Sequence, residues 1–159
     1  MLFELAENPL QLDLIRILFS EYQQSLSVNL CFQNFEQELE SLPGKYSFPM
    51  GRLYLVSSNG ALLGCVALRA LDEQNCEMKR LYIRPEFRGQ GSGRLLVEKI
   101  ISEAQAIGYK KMYLDTLPEM QSAIALYKAV GFVESEPYCF NPVCGAIYMV
   151  LNLEERKNV

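Results

Sequence analysis

Arg88-Gly89-Gln90-Gly91-Ser92-Gly93 is the stretch on which the reading of this chain turns. Before it, Met78-Lys79-Arg80-Leu81-Tyr82-Ile83-Arg84-Pro85 reads as a strand. After it, Arg94 to Ile107 reads as an amphipathic helix, because Leu96, Val97, Ile100, Ala104 and Ile107 fall on one stripe at spacings of three and four. That stripe packs the helix on a sheet and fixes its first turn over the glycines. A glycine-rich turn between strand and helix presents backbone N–H groups at the positive end of the helix dipole, a ready seat for a phosphate. Glycine suits the turn because a side chain would keep an anion away from the backbone.

Two common phosphate patterns are excluded. No Gly-Lys-Ser/Thr follows, so the nucleotide-triphosphate loop is absent. The dinucleotide pattern G-x-G-x-x-G needs glycine at position 94 or 96, where Arg94 and Leu96 stand. What remains is R-x-x-G-x-G.

The rest of the chain sets bounds. Its 159 residues fit one domain, 1–159, with enough chain to bury a core. Half the residues are hydrophobic and 21% are charged, as in an ordinary globular protein. A net charge of −4 speaks against a nucleic-acid binder. No apolar run approaches the roughly 18 residues that cross a membrane, and MLFELAENPL lacks the basic and apolar regions of a signal peptide. Five irregularly spaced cysteines without a C-x-x-C pair read as reduced thiols of a cytoplasmic protein. There is no histidine, so a zinc site and the Ser-His-Asp or Cys-His nucleophile systems are not expected. General bases narrow to carboxylates, Tyr, Lys, Cys or water.

The pattern along the chain is α/β of the α+β kind. Leu2 to Leu5 reads as a strand, Pro9 to Val28 as a helix capped by Asn8, and Phe32 to Leu42 as a second helix stopped by Pro43-Gly44. The period then changes to two. Arg52 to Ser57 and Ala61 to Leu71 form a hairpin about Asn59-Gly60, and a turn at Asp72 to Asn75 leads into the strand Cys76 to Arg84. After the helix ending at Gly108, Lys111 to Asp115 is a strand, Glu119 to Val130 a helix, and Phe132 to Ser135 and Ala146 to Leu153 closing strands. The tail 154–159 is polar and frayed.

This order, β-α-α-β-β-β-α-β-α-β-β, together with R-x-x-G-x-G at 88–93, resembles the N-acetyltransferase (GNAT) superfamily from end to end. A second segment, Ala125-Leu126-Tyr127-Lys128-Ala129-Val130-Gly131-Phe132, resembles that family's A-x-x-L-Y-x-x-x-G-F pattern. The resemblance implies a mixed central sheet of six or seven strands flanked by four helices. It also implies transfer of an acetyl group from acetyl-CoA directly to an amine, with no metal.

Site residues follow from the same resemblance. The pyrophosphate of acetyl-CoA is expected on the turn Arg88, Gly89, Gln90, Gly91, Ser92, Gly93 and Arg94. The pantetheine is expected along the backbone of Leu81, Tyr82 and Ile83, with the Leu81 N–H as donor to the thioester carbonyl, a role commonly worth a few kcal/mol. Tyr127 is expected beside the sulfur as proton donor to the leaving thiolate, the alternative being a packed core aromatic. An alkyl ammonium must first lose a proton, at a cost of about 4 kcal/mol near neutrality. Glu77 lies four residues before Leu81, on the same strand face at period two, and 11 before Arg88. It is either the base, acting directly or through water, or a carboxylate that orients the acceptor. Asp115, Thr116, Tyr22 and Phe32 are candidate acceptor contacts, and the segment Tyr138 to Gly145 a further wall. The acceptor is expected to be a small-molecule amine or a peptide; a homodimer is left open, and a non-catalytic acyl-CoA sensor is the alternative reading.

Overall fold

The computed structural model describes residues 1–29 and 34–156. Seven strands and four helices alternate as expected: β1 (Leu2–Leu5), α1 (Pro9–Ser25), α2 (Phe35–Ser41), β2 (Arg52–Ser58), β3 (Ala61–Ala70), β4 (Asn75–Ile83), α3 (Ser92–Ile107), β5 (Lys111–Thr116), α4 (Gln121–Val130), β6 (Val133–Glu134) and β7 (Ile147–Asn152). They build one mixed sheet in the order β1-β2-β3-β4-β5-β7-β6. Every neighbouring pair is antiparallel except the central one, β4 with β5.

Helix ends follow local chemistry. Asn8 and Gln11 form a reciprocal capping box at α1, with Pro9 in the first turn. Gly108 and Gly131 end α3 and α4 in the left-handed conformation.

The sheet carries apolar side chains on both faces. On one, Leu96, Val97, Ile100 and Ala104 of α3 pack on Val66, Leu68, Met78, Met112 and Leu114. On the other, Ile15, Leu18 and Phe19 of α1 pack on Leu53, Leu55, Cys65 and Ala67. Each such buried aliphatic side chain contributes roughly 1.5–3 kcal/mol, and together they hold the helices to the sheet.

Two irregularities shape the middle. The parallel pairing of β4 and β5 runs only over Asn75–Glu77 against Lys111–Tyr113, so the remaining lengths of the two strands part. In β4, Lys79 faces Ala67 and Tyr82 faces Cys65, so Arg80 and Leu81 together oppose Val66. This is a β-bulge, with Arg80 in the left-handed region at φ 57°. Across from it, a Cβ on Gly64 would lie 2.0 Å from the Tyr82 carbonyl oxygen, so only glycine fits.

The bulge corrects one expectation. Its extra residue flips the alternation, so Glu77, Lys79 and Tyr82 share the α1 face while Leu81 packs toward α3. Glu77 and Leu81 therefore present side chains to opposite faces.

Candidate active site

The glycine turn forms as its composition requires. Gly89 and Gly91 have φ of 74° and 83°, and a Cβ at either would meet nothing within 4 Å. Backbone conformation, not space, is what calls for glycine here. Helix α3 starts two residues earlier than expected, at Ser92, with Gly91 as N-cap and no side-chain cap. Its first internal bond is from the Leu95 N–H to the Gly91 carbonyl, so the amides of Ser92, Gly93 and Arg94 have no acceptor within the helix. The turn also carries no acidic residue in the helix's first turn, and Arg88 and Arg94 stand beside it exposed. Arg88 donates from Nε to the Ile83 carbonyl at 2.8 Å and lies over the Tyr82 ring, tying the turn to the end of β4.

A cleft of about 680 Å³ runs from this turn into the split between β4 and β5. Arg88, Gly89, Gly91, Gly93 and Arg94 line it at one end, and Leu81, Tyr82, Ile83 and Tyr22 along its length. Leu126 and the residues before α4 close the far wall. Gln90 and Ser92 belong to the turn but do not line the cleft; the Ser92 side chain is buried beneath it. The Ile83 carbonyl already accepts from Arg88, so it is not free for a ligand on this edge.

At the inner end of the split stand two carboxylates of different character. Glu77 is 1% exposed and fully engaged. Arg69 donates to it from Nε at 2.6 Å, the Tyr138 hydroxyl at 2.6 Å, and Lys79 Nζ stands 3.8 Å away. Burial alone raises its pKa, but Lys79, Arg69 and the Tyr138 hydroxyl outweigh it and hold the group below the usual carboxylate range. A carboxylate so stabilised is a reluctant proton acceptor. Asp115, on the same face, is half-buried and accepts from Asn141 Nδ2 at 3.0 Å and from the Cys139 thiol at 3.9 Å. Among the described residues no cation pairs with it at ion-pair distance. Thr116, its chain neighbour, points to the other face, where its hydroxyl donates to the sulfur of Met120.

Tyr127 is 6% exposed and packs edge-on against Phe132. Burial, then the neighbouring Tyr22 and Asp115, raise its pKa, so the hydroxyl keeps its proton. Tyr22 is positioned by α1, which is anchored to β4 by the bidentate pair Glu21–Arg84. Its ring lies 6.0 Å from that of Tyr82. Phe32 lies outside the described residues.

Ligand atoms of Glu77, Asp115 and Cys139 approach within 4.8 Å of one another. This donor set suits a metal poorly. Glu77 is already neutralised by Arg69 and Lys79, and burial pushes the Cys139 thiol up to about 11, away from the thiolate a metal would need.

Several participants were not anticipated from the sequence. Arg69 reaches Glu77 across the strand pair β3–β4, and Asn141, expected only within the wall segment, bonds directly to Asp115 from the loop before β7. Tyr138, read only as a wall, makes a direct bond to Glu77 and stacks near Tyr113 at 5.0 Å.

Fold and cleft together describe a sheet opened between β4 and β5 beside a glycine turn and an uncapped helix N-terminus. The model of the acetyltransferase (GNAT) family matches residues 14–132. An uncharacterised N-acetyltransferase of Schizosaccharomyces pombe is 42% identical over 149 residues, covering 92% of this chain and 91% of that one. Another, from Dictyostelium discoideum, is 34% identical, covering 89% and 94%. The fold is also that of a Salmonella typhimurium protein solved with its cofactor acetyl-CoA, with TM-score 0.70, 18% identity and coverage of 99% and 96%. The chain belongs to the acetyltransferase (GNAT) family, and it is an enzyme of the acyltransferase class.

Proposed function

We propose that the protein moves the acetyl group of acetyl-CoA directly to a primary amine of a small cationic molecule or of a peptide. The observation that carries this reading is the continuity of the cleft. It leads from an uncapped helix N-terminus, suited to pyrophosphate, along Leu81, Tyr82 and Ile83 to Tyr22. Tyr127 and Asp115, which do not themselves line it, both interact electrostatically with Tyr22.

The residues divide the work as follows. The amides of Ser92, Gly93 and Arg94 hold the pyrophosphate. The acyl end lies along β4, where the Leu81 N–H donates to the thioester carbonyl oxygen as negative charge develops on it. The acceptor ammonium sits against Asp115, which stabilises it and takes up its proton, directly or through a water. Glu77, neutralised by Arg69 and Lys79, orients the acceptor corner through Tyr138 in place of the base role expected for it. The amine nitrogen bonds to the carbonyl carbon, the carbon–sulfur bond breaks, the Tyr127 hydroxyl passes its proton to the departing sulfur, and the second proton that the new amide nitrogen sheds restores the Tyr127 hydroxyl. The free thiols of Cys65, Cys76, Cys139 and Cys144 agree with work in the reducing cytoplasm, and no described helix is long and apolar enough to cross a membrane.

The test is thiol release from acetyl-CoA across a panel of amines, amino acids and peptides, for wild type and Tyr127→Phe. Turnover on one class of acceptor, with kcat lowered by about 10²–10³ in the variant and acetyl-CoA affinity retained, is the expected result. Unchanged kcat in Tyr127→Phe removes that residue from the chemistry. Tight acetyl-CoA binding without turnover on any amine refutes the acceptor class.

A further inference from the structure

Arg80 is the most unusual residue of the sheet. It is 5% exposed, it carries a full charge, and it holds a left-handed backbone conformation at φ 57° without being glycine. Such a conformation costs roughly 1–2 kcal/mol and persists only where the surroundings enforce it. The surroundings are evident. Glu38 of α2 accepts from Arg80 Nε at 2.8 Å and Nη2 at 3.2 Å. The Tyr46 hydroxyl donates to the same carboxylate at 2.9 Å, and Lys45 Nζ stands 3.8 Å from it. The guanidinium lies 5.4 Å from the centre of the Phe35 ring, and the Arg80 carbonyl accepts from the Cys65 thiol.

A buried ion pair of this kind gives little net stability, because desolvating both charges offsets their attraction. Its value lies in fixing one geometry. What it fixes here is the bulge, and the next residue is Leu81. With Arg80 pinned in the left-handed region, β4 carries two residues opposite Val66 and the Leu81 amide is turned relative to a regular strand.

We infer that the Arg80–Glu38 pair is a positioning device that aims the Leu81 N–H at the thioester carbonyl and links that aim to α2. The inference rests on the donor role given to Leu81 above. Neither Arg80 nor Glu38 need touch a substrate; both act through the backbone of Leu81. Because Glu38 belongs to α2, a helix on the α1 face where Asp115 and Glu77 lie, the pair ties the backbone beside Leu81 to that helix through one contact.

Two variants and two readouts test this. Glu38→Gln leaves a buried cation without its partner, and it risks unfolding. The double variant Glu38→Leu/Arg80→Met removes both charges together, keeps the buried volume apolar and leaves at positive φ a residue with nothing to hold it there, so it is expected to fold with the bulge released. With it, kcat falls at least tenfold while the acetyl-CoA dissociation constant stays within about twofold, since less than one full carbonyl donor, itself worth 10²–10³, is lost. The second readout is the carbon resonance of protein-bound acetyl-CoA labelled with carbon-13 at the carbonyl. A hydrogen bond from Leu81 deshields that carbon in wild type, and in the double variant the resonance moves back toward its value in free acetyl-CoA. A folded double variant with wild-type kcat and an unmoved resonance overturns the inference. If wild type binds acetyl-CoA but acetylates no amine, the proposed function fails, and the carbonyl resonance alone decides this point.

Discussion

Replacing Asp115 by asparagine separates the two carboxylates of the inner cleft. The substitution preserves shape and an acceptor oxygen for Asn141 Nδ2, now 3.0 Å from the carboxylate. No ion pair among the described residues is broken, so the fold is expected to stand. What is lost is the negative charge that faces the acceptor. An ammonium 4 Å from a carboxylate gains about 4 kcal/mol at an effective dielectric of 20, before it gives up its own hydration. Asp115 is only half-buried, and measured charge-assisted hydrogen bonds contribute about 1.5–3 kcal/mol net. At about 1.4 kcal/mol per decade, the lost attraction alone lowers kcat/KM for a cationic acceptor roughly 10- to 150-fold, and loss of the proton acceptor adds to that fall. The Michaelis constant for acetyl-CoA is expected to be unchanged, because Asp115 does not line the turn that holds the pyrophosphate. The assay is initial-rate thiol release with acceptor varied at saturating acetyl-CoA, at two ionic strengths. A kcat/KM within twofold of wild type refutes the assignment of the ammonium to Asp115. So does an equal loss with Glu77→Gln, since Glu77 is already neutralised by Arg69 and Lys79.

Two further outcomes are expected. Gly91→Ala places an L-residue at φ 83° in open space, so stability drops by roughly 1–2 kcal/mol, or a few degrees in Tm. Acetyl-CoA affinity drops by about tenfold more as one amide is re-aimed, and calorimetric titration that shows unchanged affinity contradicts the phosphate-binding role of the turn. Stability is expected to decline in acid. Burial raises the Glu103 pKa, but hydrogen bonds from Lys99, Arg52 and Tyr54 bring it down to about 2, and Glu38 and Glu77 are also lowered. Folded-state pKa values below the unfolded ones mean stability is complete above about pH 4.5 and is lost as pH falls toward 2. Urea midpoints between pH 7 and 2 should show this fall, and Glu103→Gln should flatten it.

The sequence was most informative where local rules govern. Period two against period 3.6 marked the strands and helices, and the caps at Asn8, Gly108 and Gly131 set helix ends. The glycine turn was readable because its conformation is written in residues that alone adopt it. Long-range geometry was not. Period two put Glu77 and Leu81 on one face, and the bulge at Arg80 separated them. A signal existed: Gly64, inside a strand, marks a close backbone approach of the kind a bulge creates. Asp115 and Thr116 are adjacent in sequence, and a strand sends them to opposite faces, so only Asp115 joins Glu77 at the inner cleft. The partners of Glu77 lie 8 and 61 positions away in sequence, at Arg69 and Tyr138, and only folding brings them together.

The split between β4 and β5 has a further consequence. Three residue pairs hold the strands of one half of the sheet to those of the other along this seam, from Asn75 to Glu77. If acetyl-CoA lies in the gap as proposed, it is a structural strut as well as a reactant. A ligand that binds only the assembled halves adds RT ln(1 + [L]/Kd) to their stability, roughly 2.7 kcal/mol at a hundredfold excess over Kd. The cell's acetyl-CoA supply then governs how long the enzyme survives as well as how fast it turns over. Starved of donor, the protein loses that contribution, and idle molecules unfold more readily than working ones.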